Sequence, residues 1–329
     1  MQPKVKRSEL DALAEFHALD VRKVETMLEL VDARPTRAEG LRFLGTCLRI
    51  AGVLSLAAGL VFFVAANWSR FAVFGRFALV ELVLIACVAI AFVKPPPANL
   101  GRGAAFLAFI ATGALLALFG QTYQTGADIY ELFLTWALLG LPLAVAAQWS
   151  VATAAWVLVL NVALMLFCGW NPTGGLLWSI FGGMQFRPAH LVMGAAGLNL
   201  ALWFAFEFWR FDAVPDWVRR WMLSCAFGFG TWGGVIAVTS ENDALAGLAL
   251  LAAIVGVAAY AMRRRTDVYP LAVVMGTFII VSLVWLGTKI TFSDEGVFLL
   301  MALWLIGTST AAGRILTVLT RRWRAQVAA

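Results

Sequence analysis

Chemistry in this chain has to come from a few polar residues set among apolar ones. The densest group is Gln121, Tyr123, Gln124, Asp128, Tyr130 and Glu131. Amides, phenols and carboxylates with aromatic bodies suit a small polar ligand, such as a sugar or a lipid head group. Gly120 and Gly126 permit tight turns between them. Asn67 and Trp68 end an earlier apolar run on the same side and complete the candidate ligand-binding site. Asp128 and Glu131, three apart on a helix, would also allow shared acid–base work. The plainer interpretation of 121–131 is an interfacial turn with its aromatic belt.

Glu81 is the second candidate ligand-binding position. It lies halfway along an apolar run, where a charge costs about 2.5–3.5 kcal/mol on insertion scales. It reads either as a proton- or cation-carrying carboxylate facing a bundle interior, or as one side of a bond between helices. Arg76 precedes it by one turn plus about 140° and need not share its face. Asn161 and Asn199 also sit mid-run, where an amide commonly bonds across helices for about 0.6 kcal/mol. Glu207 has Arg210 three residues on, the spacing of an interfacial ion pair.

Other chemistry is excluded by what is missing. The two histidines, His17 and His190, fall on opposite sides of the threading derived below. No HExxH, clustered Cys/His, GxSxG, P-loop or dinucleotide fingerprint occurs, so no metal and no cofactor is expected. Cys47, Cys87, Cys168 and Cys225 follow no CxxC spacing and read as small buried apolar residues.

The elements that position these residues follow from composition. The 329 residues are 62% hydrophobic and only 13% charged, against about 25% charged for soluble domains. Ten apolar runs approach the roughly 20 residues a bilayer crossing needs. They are 46–66, 72–93, 104–121, 129–147, 150–168, 189–208, 221–239, 244–262, 270–287 and 296–313. The fourth and fifth are separated only by Ala147-Gln148-Trp149. Alternating strand patterns are absent, which excludes a β-barrel. The expected fold is therefore all-α, a polytopic bundle of about ten transmembrane helices.

Charge placement orients the bundle. With the N-terminus inside, 21 of the 25 Lys and Arg residues fall on the inner side, leaving Arg70, Arg76, Arg187 and Lys289 outside. The positive-inside rule then puts both termini in the cytoplasm. Three regions result: a cytoplasmic amphipathic helical segment over 1–43, the helix bundle over 44–315, and a basic tail over 316–329. In the first, Ser8 and Asp20 read as N-caps. The ten helices divide into five plus five, as in inverted repeats. Asp128-Ile129-Tyr130 and Asp267-Val268-Tyr269 occupy equivalent positions in the two halves.

Three stretches carry a resemblance. Gly59-Leu-Val-Phe-Phe-Val-Ala-Ala-Asn67-Trp68 ends the first run, Phe77-Ala-Leu-Val-Glu81 lies in the second, and Gly120-Gln-Thr-Tyr-Gln-Thr-Gly-Ala-Asp128 follows the third. Residues 10–150 resemble a family of bacterial inner-membrane proteins catalogued as a domain of unknown function. The resemblance implies a multi-helix membrane protein in the bacterial inner membrane and transfers no catalytic residue.

Three functions fit. The first is transport or binding of a small polar solute or lipid head group at the outward-facing polar site. The second is a membrane scaffold with a protein partner at the N-terminal segment. The third is an intramembrane enzyme acting on a lipid-linked substrate, which is the least favoured, so the expectation leans away from an enzyme. Membrane lipids are the expected surroundings. Nucleic acid is not an expected partner, because the basic residues sit in short clusters between apolar runs.

Overall fold

In the computed structural model the described residues are 37–66, 72–123, 128–169, 188–208, 214–240, 243–264, 267–289 and 294–328, with Gly126 and a few positions between 16 and 26. Those residues form helices and turns, with no strand among them. We number the helices α1 Arg37–Ala66, α2 Val73–Val93, α3 Asn99–Tyr123, α4 Ile129–Ala146, α5 Ser150–Gly169, α6 Pro188–Phe208, α7 Asp216–Thr239, α8 Ala244–Arg264, α9 Tyr269–Lys289 and α10 Asp294–Ala328. All ten contain a stretch long and apolar enough to cross a membrane. Each overlaps one of the ten runs of the sequence, though α1 begins nine residues before its run and α10 ends fifteen residues after its own.

The close boundary between α4 and α5 is a real turn. Gln148 adopts φ 46° there, a left-handed conformation that is uncommon outside glycine and reverses the chain in few residues. α4 runs through Pro142 to Ala146. Two helices cross the region boundaries drawn from sequence: α1 spans 43/44 and α10 spans 315/316. Of the N-terminal segment, Ser8 lies outside the described residues. Asp20 starts a helical turn, its carbonyl accepting the Lys23 and Val24 amides at 2.8 and 3.0 Å.

The chain divides into two compact units, Met1–Asn67 and Trp68–Val327. The first contains α1. In the second, the most extensive contacts are α6 with α7, α2 with α3, α4 with α5, and α7 with α9. With little hydrophobic driving force between helices in lipid, such seams rest on close packing and on hydrogen bonds. The α3–α4 seam uses both. Each helix gives a glycine to the other's aromatic ring. A Cβ on Gly113 would overlap the Trp136 ring, and one on Gly140 would come within 2.6 Å of Phe109. Phe109 and Trp136 stack at 5.4 Å, and Trp136 Nε1 donates to the Phe109 carbonyl at 2.9 Å. Trp156 of α5 repeats the device, donating to the Ala137 carbonyl at 2.8 Å.

Asn161 and Asn199 form a reciprocal amide pair between α5 and α6. Each Nδ2 donates to the other's Oδ1, at 3.1 and 2.9 Å. Each also donates to a carbonyl one turn back, Val157 and Ala195. All four N–H groups of the pair are thereby used, which is what a polar group in hydrocarbon requires. α7 lies against α9 through Thr231 and Thr277, whose hydroxyls are 3.0 Å apart, and against α8 and α9 through Gly234, over which Leu250 and Val281 close. The cysteines are all free; of the four expected to be buried, Cys87 is, Cys168 and Cys225 are half-buried, and Cys47 is exposed on α1.

Candidate functional site

The candidate residues from sequence occupy several environments. Asn67, Trp68 and Gln124 lie outside the described residues. Gln121 and Tyr123 are exposed at the end of α3, where the Tyr123 ring meets Phe119 at 4.9 Å and Phe77 of α2 at 6.0 Å. Asp128 precedes α4, and its carbonyl, not its carboxylate, accepts the Glu131 amide at 3.0 Å. Tyr130 is only 2% exposed. Its ring lies 5.2 Å from Phe167 and its hydroxyl donates to Glu131 Oε1 at 3.3 Å. Glu81 is exposed on α2 rather than turned inward. Phe77, which Tyr123 touches, sits one turn before it.

A different group is brought together by the fold. Where α6 and α8 end and α7 and α9 begin, a cleft of about 340 Å³ opens. Its wall carries three guanidinium groups, Arg219, Arg220 and Arg264, and three carboxylates, Glu207, Asp216 and Asp267. Glu207 accepts from the Tyr260 hydroxyl at 2.7 Å and lies 3.7 Å from Arg219. Arg219 also pairs with Asp216. Arg220 donates to Asp267 at 3.0 Å and lies over the Tyr269 ring. Asp267 additionally accepts the Tyr269 amide at 3.0 Å, and the Tyr269 hydroxyl meets Ser224 at 2.5 Å. Arg264 has an aromatic neighbour instead of a carboxylate: its guanidinium sits 5.7 Å from the centre of the Tyr260 ring. Among the described residues it forms no ion pair.

Glu207 reaches α8 through Tyr260 and α7 through Arg219; Arg210, its expected partner, lies outside the described residues. Sequence spacing could not find this cleft. Its six charged groups come from three helix ends and one connecting segment, as much as 60 positions apart in sequence (Glu207 to Asp267). The available signal was the concentration of Arg and Asp/Glu at the ends of consecutive apolar runs.

Two apolar spaces adjoin this end of the bundle or the spans below it. One of about 280 Å³ lies among α6, α7 and α8 and is lined by small residues such as Gly197, Ala226 and Ala253. Another of about 510 Å³ is bordered by Trp149, Trp156, Phe206 and Val214. Neither these nor the cleft is lined by Glu81 or by any residue of 121–131. Among the described residues no group of three or more His, Cys, Asp or Glu is placed to hold a metal.

Residues 11–153 match the family of predicted membrane proteins DUF2157. The DUF2157 match takes in α1 to α4, Glu81 and the whole of 121–131. It ends before α6, so the charged cleft lies entirely outside DUF2157. No curated protein and no solved structure matches the chain.

Proposed function

We propose that this multi-pass membrane protein works in the bacterial inner membrane, both termini in the cytoplasm, as a binder or carrier of a small polar ligand held in the α6–α9 cleft. The observation behind this is the cleft itself: three guanidinium groups, three carboxylates and two tyrosines around one 340 Å³ space. Convergent polar groups in a concavity are the usual mark of a ligand site. Arg264, with no carboxylate, supplies the donor for an anionic ligand group. By the positive-inside rule the cleft faces the cytoplasm, since Arg263 and Arg264 lie at the same end. This moves the site from the outward 121–131 segment to the opposite end of the bundle.

Isothermal titration with phosphoethanolamine tests it. The proposal predicts saturable binding to the purified chain, weakened at least tenfold in Arg264→Gln. No saturable binding, or equal binding by that variant, would overturn it.

A second reading, assembly with another membrane protein, draws on Glu81. This carboxylate is exposed in the middle of a span, with Leu82 and Ile85 exposed beside it. Among the described residues it has no hydrogen-bond or ion-pair partner. A charge on such a face is costly in lipid and is relieved when another helix covers it. Glu81→Leu is expected to release a co-purifying membrane partner; an unchanged complex removes Glu81 from assembly.

A further inference from the structure

The cleft and the small-residue groove lie on one seam. On α6 the groove takes Gly197 and Leu200, and the cleft takes Trp203 and Glu207. On α7 the order runs from Arg219 and Leu223 in the cleft to Ala226 and Gly230 in the groove. On α8 it runs from Ala253 in the groove to Tyr260 and Arg264 in the cleft. Successive positions are separated by three, four or seven residues, so on each helix both sets follow one stripe. The offset along the axes is about 5–10 Å at 1.5 Å per residue. The groove occupies the middle of the three spans and the cleft occupies their ends.

Between them stand Trp203 and Tyr260, edge to face at 5.6 Å. Aromatic residues with a polar tip favour the level where head group meets hydrocarbon. The Tyr260 hydroxyl points its hydrogen bond at Glu207, on the cleft side.

We infer that this seam holds a membrane amphiphile, its zwitterionic phosphate-and-ammonium head group in the cleft and its apolar chain in the groove. This rests on the cleft being the ligand site proposed above. The head group is chosen by charge. Three cations and three anions line the cleft, so a head group carrying both signs meets partners for each. The phosphate pairs with Arg264, which has no carboxylate of its own. The ammonium pairs with Asp216, whose side chain is 76% exposed while it also contacts Arg219. The groove is chosen by shape and chemistry. Its walls are apolar, six of the ten lining residues are Gly or Ala, and a Cβ on Gly197 would meet nothing within 4 Å.

The test compares dihexanoyl phosphatidylethanolamine with phosphoethanolamine by titration in one detergent. A buried methylene contributes about fourfold in affinity. Three settled in the groove give the lipid an advantage of roughly sixtyfold. Gly197→Leu places a side chain in the open space and is expected to cut that advantage below about threefold, while uptake by the micelle is common to both proteins. Dihexanoylglycerol, which lacks the charged head, is expected to bind at least tenfold more weakly than the phospholipid. If phosphoethanolamine binds as tightly as its lipid, or if Gly197→Leu leaves the ratio unchanged, the groove holds no chain and the cleft reading alone survives. If neither ligand binds, both readings fall. If dihexanoyl phosphatidic acid binds tenfold tighter than the ethanolamine lipid, the zwitterionic assignment is overturned.

Discussion

At the residue scale, the apolar background decides what each polar group does. Asn161 and Asn199 satisfy one another and their own helices, so removing one amide strands the other. Asn161→Leu is expected to destabilise the purified protein by about 1–2 kcal/mol, and Asn161→Leu with Asn199→Leu by less than the sum of the two single changes. Thermal unfolding in detergent measures both, and strict additivity would mean the pair is not coupled. These two residues were legible from sequence, because an amide mid-run has few ways to be satisfied. Glu207 was legible only as a charge. Its partners, Tyr260 and Arg219, reach it through the packing of α6 with α7 and α8, and no spacing rule within one helix anticipates that. Asp128-x-Tyr130 and Asp267-x-Tyr269 look alike in sequence, and the two Asp residues lie one and two positions before a helix. Their tyrosines nevertheless diverge, one buried against Phe167 and the other bonded to Ser224 at the cleft.

At the element scale, all ten spans could be read from apolar length, because a bilayer imposes one requirement on every crossing helix. Which faces meet could not, because in so apolar a chain hydrophobicity hardly distinguishes a helix-facing from a lipid-facing side. Small residues carry that information instead. Gly113 accepts the Trp136 ring, whereas Gly120, two turns on in the same helix, has nothing within 4 Å of its would-be Cβ. Gly113→Leu is therefore expected to cost more than about 2 kcal/mol through overpacking. Gly120→Ala should change stability by no more than about 1 kcal/mol, in the favourable direction set by helix propensity. Equal effects of the two substitutions in a denaturation series would contradict the α3–α4 seam.

At the scale of the whole molecule, charge predicts the direction and the fold assembles the cleft. A C-terminal alkaline phosphatase fusion is expected to be inactive, and one inserted at 241–243 to be active; the reverse pattern would invert the molecule and put the cleft outside. The segment matched by DUF2157, 11–153, holds the polar segment that sequence favours, and the residues after it hold the cleft that the fold assembles. The two can be separated in one comparison. Phosphoethanolamine affinity is measured by isothermal titration for the unaltered chain, for Arg264→Gln, and for Gln121→Ala combined with Asp128→Asn. The cleft predicts at least a tenfold loss in the first variant and less than twofold change in the second, whereas a loss confined to the Gln121/Asp128 variant would return the site to the other end of the bundle.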